Sequence, residues 1–308
     1  MKRIATILAA AILAGCQSRP CVPHTAEGTR DARPAPLGNI SSWALYYGPA
    51  TPDAVGRLSG YSLVVIDPAA LGDAAKETIA ALKANGCKVA GYLSFIEVAT
   101  WHRYRSRIPR EWYILRDDGS PWVPWAGTGV GWNANLAASL AEPGWREMLC
   151  DLVQSEVLDY GCDGVFMDTL EDVDFHSMPA KERDPQVEGL RALMALLDER
   201  FPDAFFIGNR TLERAFDAVA DHIDAVCWES FAPVYFADPN SRPWMDGIAE
   251  RFAAAQKKHP FLVVSLWDSK KTDTLAADQA KMRELSAERG YIPYCTVGGY
   301  GNLPEPEK

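Results

Sequence analysis

From residue 41 onward, short apolar runs alternate with amphipathic stretches. The runs cover residues 43–47, 63–67, 88–95, 164–168, 204–209, 225–229, 261–267 and 292–297. Turn residues bound most of them, and they are apolar on both faces, as parallel strands covered on both sides must be. Between the runs, apolar residues recur at helical spacing. Trp145, Met148, Leu149, Leu152, Val153, Val157 and Tyr160 form one such stripe, with Pro143 near its start and Gly161 at its end. Val187, Leu190, Leu193, Met194, Leu197 and Phe201 form another, opened by Asp184 and Pro185. Residues 74–85 and 273–289 read as further helices. Eight strands with helices between them predict one (β/α)8 TIM barrel over residues 41–303. A doubly wound sheet would need a Gly-rich turn after the first strand, and Tyr47-Gly48-Pro49 is not one.

The longest insertion, residues 97–141, follows the third strand. It holds Trp101, Trp112, Trp122, Trp125 and Trp132, half of the chain's ten tryptophans. A loop there overhangs the C-terminal face of a barrel, where active sites lie. Most of these rings are expected to pack as a local aromatic core. One or two, Trp125 foremost, are expected to offer a face to a ligand.

Several strands end in polar groups. Asp67 ends the second, Asp168 the fourth, Asn209 the fifth and Glu229 the sixth; Glu97 lies just past the third and Asp268 just past the seventh. A ring of such residues at one end of a barrel is the layout of an active site. Strand parity selects among them. Gly164, Phe166 and Asp168 share one face of their strand, and Ala225, Cys227 and Glu229 one face of theirs. The smaller or polar set is expected to face inward. Asp168 and Glu229 then become the last inward side chains of strands one strand apart. Two carboxylates so placed can flank one scissile bond, one acting as acid and the other attacking or activating water.

The other acids carry two readings each. Asp67 precedes Pro68 and either caps a turn or meets ligand. Glu97 either lines the site or pairs with Arg103 or Arg105. Glu171 is expected to line the site, and Asp172 and Asp174 to be solvated loop residues. Asp163, at the N-terminal end of its strand, is expected to be structural. The five His residues show no paired ligand spacing, so no metal is implied, and no Gly-rich phosphate loop or nucleophile elbow occurs.

The N-terminal stretch changes the picture of where the chain works. Lys2 and Arg3 precede an apolar run that ends in Leu13-Ala14-Gly15-Cys16. This resembles the lipobox of a bacterial lipoprotein: a signal peptide over residues 1–15, lipid on Cys16, and a membrane anchor facing outside the cytoplasm. Residues 16–40, rich in Pro, Ala and Arg, read as a tether, and residues 304–308 as a tail. Losing Lys2 and Arg3 takes the formal charge from −10 to −12. Such a balance argues against a nucleic-acid partner. Of the seven Cys, those at strands and helices are expected to be buried thiols. Cys87 and Cys162 open adjacent strands, close enough for a disulfide to be tested.

Four segments together resemble the endo-α-1,4-polygalactosaminidases of glycoside hydrolase family 114. They are Tyr92-Leu93-Ser94-Phe95-Ile96-Glu97, the run Asp163-Gly164-Val165-Phe166-Met167-Asp168-Thr169-Leu170-Glu171, Gly208-Asn209-Arg210 and Trp228-Glu229-Ser230-Phe231. Tyr46-Tyr47-Gly48 and the strand ending in Asp67 fit the same pattern. The likeness covers residues 41–301. It implies a metal-free and cofactor-free TIM barrel that cleaves α-1,4-linked galactosamine or N-acetylgalactosamine polymers. It further implies Asp168 and Glu229 as the catalytic pair, in either assignment of roles, with Glu97 lining the site. Beside it, Asp67, Tyr46, Tyr92, Glu171, Asn209, Asp268 and Trp125 are expected as further substrate contacts. One departure stands out: Ile96 occupies a place where the family pattern carries Gly. That substitution motivates a second reading, a polysaccharide-binding lipoprotein without turnover, beside a third, an α-glycosidase on a neutral glycan.

Overall fold

The computed structural model describes residues 37–269 and 274–303. The predicted leader, Cys16, most of the tether and the tail lie outside the described residues. All described residues belong to one compact unit, Ala32–Lys308. Its centre is a parallel sheet of β1 (Trp43–Tyr46), β2 (Leu63–Ile66), β3 (Lys88–Ser94), β4 (Gly164–Asp168), β5 (Phe205–Asn209), β6 (Ala225–Glu229), β7 (Leu262–Ser269) and β8 (Ile292–Val297), paired in that order. The sheet curls into a nearly closed barrel. Across the seam the Trp43 indole N–H donates to the Ile292 carbonyl at 2.9 Å, and at the rim the Tyr47 N–H donates to the Tyr300 carbonyl at 2.7 Å. This is the (β/α)8 architecture expected from the alternating pattern, strand for strand.

Carboxylates at the N-terminal ends of strands hold the register. Asp163 accepts the Val89 N–H at 3.0 Å and pairs with Lys83 at 2.8 Å; Asp224 accepts the Phe206 N–H at 2.9 Å. Each satisfies a backbone donor that would otherwise be orphaned at the barrel floor, and Asp163 is structural as expected.

The helix after the Trp-rich loop, α1 (Pro143–Leu152), continues through a π-turn over Val153–Val157 and a 3-10 turn over Leu158–Tyr160. It stops at Gly161, whose φ of 99° is the left-handed cap that glycine tolerates. The next helix, α2 (Ala180–Arg200), begins four residues before the expected Asp184-Pro185 start, with Pro185 inside it. Pro185 remains in the second turn, so the bond its missing N–H forfeits lies close to the end, where such bonds are few. The five described cysteines, Cys87, Cys150, Cys162, Cys227 and Cys295, are all free and buried. Cys87 and Cys162 are therefore not bridged; the Cys87 thiol points to the Leu58 carbonyl at 3.8 Å.

Gly189 shows how tightly α2 is seated. A Cβ there would collide with the Leu140 carbonyl, which belongs to the segment leading out of the Trp-rich loop. Alanine is the better helix former by about 1 kcal/mol, yet overpacking against fixed backbone costs ~1–3 kcal/mol. Packing should win: Gly189→Ala is expected to lower the urea-unfolding free energy, and a stabilised variant would show that this contact yields freely.

Candidate active site

Strands β4, β5 and β6 end side by side in Asp168, Asn209 and Glu229. The Asn209 amide donates to both acids, to Asp168 Oδ1 at 2.8 Å and to Glu229 Oε2 at 2.9 Å. The two bonded oxygens therefore lie no more than 5.7 Å apart, the sum of those two lengths. The remaining oxygens have donors too. The Tyr92 hydroxyl donates to Asp168 Oδ2 at 2.9 Å, and the Tyr300 hydroxyl to Glu229 Oε1 at 2.7 Å. Tyr47 packs edge-on against both tyrosines, at 5.1 and 5.9 Å between ring centroids.

Burial and the adjacent carboxylates push the Tyr92 and Tyr300 phenols far above their ordinary range, so both stay protonated as donors. Asp168 is raised, first by burial and also by the Glu229 charge, while the Asn209 and Tyr92 hydrogen bonds pull it back.

The residue after each of these strand ends has a positive φ: Thr169 at 66°, Arg210 at 48° and Ser230 at 63°, the three such non-glycine positions among the described residues. For a β-branched threonine this conformation is a true outlier. It is held by function of the side chain: Thr169 Oγ1 accepts the N–H groups of Ile96 and Glu97, at 3.0 and 3.1 Å. Ser94 adds a bond from its hydroxyl to the Glu97 carbonyl at 2.7 Å. Ile96 is fully buried and keeps a negative φ, so the turn that aims Glu97 needs no glycine. Glu97 opens a two-residue ribbon, Glu97–Val98 against Leu136–Ala137, that closes the base of the Trp-rich loop.

Glu97, 9% exposed, is raised to about 7 by burial and the Asp168 charge, against a hydrogen bond from Trp125. Arg105, its possible partner, instead donates to the carbonyls of Val98, Trp132 and Ala134.

A cavity of about 780 Å³ opens over the pair. Asp67, Tyr92, Glu97, Trp125 and Glu171 line it as predicted, together with Trp101, Tyr47 and Glu156. Asp67 caps its turn as the first of its readings had it, its Oδ1 accepting the Ala69 and Ala70 N–H groups, and it also lines the cavity. Trp101 and Trp125 are exposed while Trp122 is fully buried, the division expected for the loop. Six carboxyl groups meet this cavity, and Arg103 is the guanidinium among its lining side chains.

Three predicted contacts sit elsewhere. Tyr46 points away from its neighbour Tyr47, as successive strand residues must, and its hydroxyl donates to the Pro49 carbonyl at 2.9 Å. Asn209 is buried behind the acids it joins, outside the cavity wall. Asp268 also lies outside that wall and accepts the Gly299 N–H at 3.0 Å, steadying the turn that carries Tyr300.

The acids after Asp168 depart most from expectation. Asp172 is not solvated: it is fully buried and neither oxygen has a hydrogen-bond partner. Burial, then the charges of Glu97, Glu171 and Asp168, raise it well above the carboxylate range. Asp174 is half-buried and accepts the Arg214 and Ala215 N–H groups at 3.0 and 3.3 Å, starting the helix Arg214–Val219; burial raises it to about 6. The periodicity could not show this, because Leu170–Asp174 forms a tight 3-10 turn that buries Leu170 to Val173, acids included. Glu171 is raised well above its usual range by burial and Asp168, with Arg210 opposing from 3.6 Å. Tyr300 was missed because it follows the last strand, in a glycine-rich turn with no pattern of its own.

The sequence pattern that defines glycoside-hydrolase family GH114 matches residues 24–261. The match ends before β7 and thus before Tyr300, short of the expected span. Among solved structures, the glycoside hydrolase domain of PelA from Pseudomonas aeruginosa is 20% identical, with a TM-score of 0.65, covering 86% of this chain and 98% of that one. Ega3 from Aspergillus fumigatus, in complex with galactosamine, is 14% identical with a TM-score of 0.60, covering 83% and 91%. An α-galactosidase from Thermus thermophilus, in complex with p-nitrophenyl α-D-galactopyranoside, is 15% identical with a TM-score of 0.55, covering 87% and 60%. Likeness at these identities is one of fold. A comparison with curated proteins gives no match.

The buried acids set a pH dependence of stability. Glu97, Glu171, Asp172 and Asp174 are all raised in the folded chain above their unfolded values of about 4. The stability they contribute is complete below that value and is lost as pH rises through the folded values, about 6 for Asp174 and about 7 for Glu97. Asp172→Asn removes one ionisation without changing shape. It should be more stable than wild type at pH 8 and no more stable at pH 4 by urea denaturation; a variant weaker at both would contradict the account.

Proposed function

The chain belongs to glycoside hydrolase family GH114, and from that premise we propose that it hydrolyses an α-1,4-linked polymer of galactosamine or N-acetylgalactosamine by a two-carboxylate mechanism. The observation that carries this reading is the pair Asp168 and Glu229 bridged by one amide. The cavity chemistry supports the amino sugar. Carboxyl groups crowd a partly enclosed site, and field lines focused there favour a protonated amine over a neutral sugar. The exposed faces of Trp101 and Trp125 supply rings for stacking on pyranose units.

Glu229, one methylene longer, is assigned the proton donation. It protonates the glycosidic oxygen as the bond from that oxygen to the anomeric carbon breaks. The Asp168 carboxylate attacks the anomeric carbon and forms a glycosyl ester. Glu229 then takes a proton from water, whose oxygen displaces Asp168 and frees the sugar. A separation of at most 5.7 Å between the bridged oxygens favours this double displacement, since retaining pairs stand ~5–5.5 Å apart and inverting pairs ~6.5–9.5 Å apart. Tyr92 and Asn209 hold Asp168 in place for attack, and Tyr300 with Asn209 does the same for Glu229. The turn at Ile96, held by the Thr169 hydroxyl without a glycine, supports turnover over binding alone. The work is assigned to the outer side of a bacterial membrane, with the chain tethered through lipid on Cys16.

Separate variants test the reading and the assignment of roles. Asp168→Asn and Glu229→Gln should each lower turnover of a galactosamine polymer by about 10²–10⁴-fold or more. With an aryl glycoside whose leaving group needs no proton, Glu229→Gln should keep most of its glycosylation rate and Asp168→Asn should not. Near-normal polymer turnover in either variant would remove that residue from catalysis.

A further inference from the structure

Next to the acidic cavity lies a second one of opposite character. It measures about 420 Å³, within the range of small-ligand sites of ~300–1,000 Å³. His102 and Arg103 are common to both, so the two cavities share a wall. Arg103, Arg105 and Arg110 line the second, with Tyr113 and Trp132, and no acid does. The chain here runs against the charge of the whole. Between Trp101 and Arg116 stand five arginines and one acid, Glu111, in a protein of net charge −10.

The arginines elsewhere are commonly matched to acids, as Arg200 is to Glu147, Arg214 to Asp184 and Arg251 to Asp217. Among the described residues Arg103, Arg105 and Arg110 have no carboxylate at ion-pair distance. Arg105 donates to three carbonyls, which fix its position and leave its charge uncancelled. Arg110 stacks over the Trp132 ring at 4.7 Å, which orients the guanidinium. Trp132 is braced edge-on by Tyr113 at 6.0 Å. The shared His102 is pulled down to about 4 by burial and by Arg105, so the positive charge of the wall is that of the arginines.

We propose that this second cavity is a subsite for a sugar unit carrying a negative group, carboxylate or phosphate, on the same glycan that the acidic cavity cleaves. A guanidinium fork matches a carboxylate or phosphate edge, and the aromatic wall matches the ring behind it. A concave, aromatic-lined site that shares His102 and Arg103 with a glycan cavity favours a saccharide over a membrane surface. The inference rests on the reading of the neighbouring cavity as a glycan site. It makes the preferred substrate mixed in charge, with an amino sugar at the carboxylates and an acidic unit elsewhere on the same glycan.

Calorimetry with mixed α-1,4-linked galactosamine–galacturonate oligosaccharides tests this, since they keep the galacto configuration and linkage, offer the amine to the acidic cavity and supply the carboxylate. The protein is the Asp168→Asn variant, which needs no turnover, so a failed result here is distinct from a failed hydrolysis. Binding at low salt is expected, weakened about tenfold or more by Arg110→Gln, by methyl esterification of the oligosaccharide, or by raised salt. Arg103→Gln, on the shared wall, should act in the same direction. No binding of the acid oligosaccharide, or equal binding of its methyl ester, overturns the proposal. So does Arg110-dependent binding of phosphatidylglycerol vesicles without binding of the oligosaccharide, which would make the patch a membrane contact.

Discussion

The catalytic end of this barrel depends on one side-chain amide. Asn209 donates to Asp168 and to Glu229 at once and so sets the gap between two carboxylates that would otherwise repel each other. The constraint reaches into the backbone. The three strands that carry these residues all leave the barrel through a left-handed residue, Thr169, Arg210 or Ser230. Each such conformation costs roughly 1–2 kcal/mol, and it persists because the surrounding bonds over-determine it. Thr169 shows how: the same strained residue that ends β4 anchors the turn aiming Glu97. Strain at one strand end therefore positions a side chain on the next element.

The electrostatics follow from the same crowding. Six carboxyl groups face the cavity and a further one, Asp172, is buried just behind Glu97 and Glu171. They cannot all be charged in so small a volume. Burial raises Asp172 and Glu171 well above the usual carboxylate range, while Asp168, also raised by burial, is pulled back by the Asn209 and Tyr92 hydrogen bonds. Across the wall of His102 and Arg103, the sign reverses.

Much of this was legible in the sequence, for identifiable reasons. The strands were readable because parallel strands buried on both faces are short continuous apolar runs. The convergence of Asp168 and Glu229 at the barrel mouth was readable because strand parity is a local property: Phe166 and Asp168 must share a face. Asp163 was readable as structural from its position before the strand. What failed was whatever depended on a fold-back or on a partner remote in the chain. The acids from Glu171 to Asp174 looked alike as a polar run, yet a tight turn buries Asp172 and turns Asp174 into a helix cap. Choosing Tyr46 over Tyr47 was an error of one residue, enough to reverse the face. Asn209 ends its strand as expected, but its role as a bridge needs the two neighbouring strands to be seen together. Tyr300 lies in a turn whose sequence carries no periodicity and whose partner is 71 residues earlier.

The spacing held by Asn209 has one stereochemical consequence, and the anomer of the first-formed product reads it directly. Proton NMR of a galactosamine oligomer during the first minutes of hydrolysis, before mutarotation, should show the new reducing end in the α configuration, the product of two successive displacements at the anomeric carbon. A β anomer appearing first would mean that water attacks directly, that the working carboxylates stand further apart than Asn209 holds them, and that the account of this site is wrong.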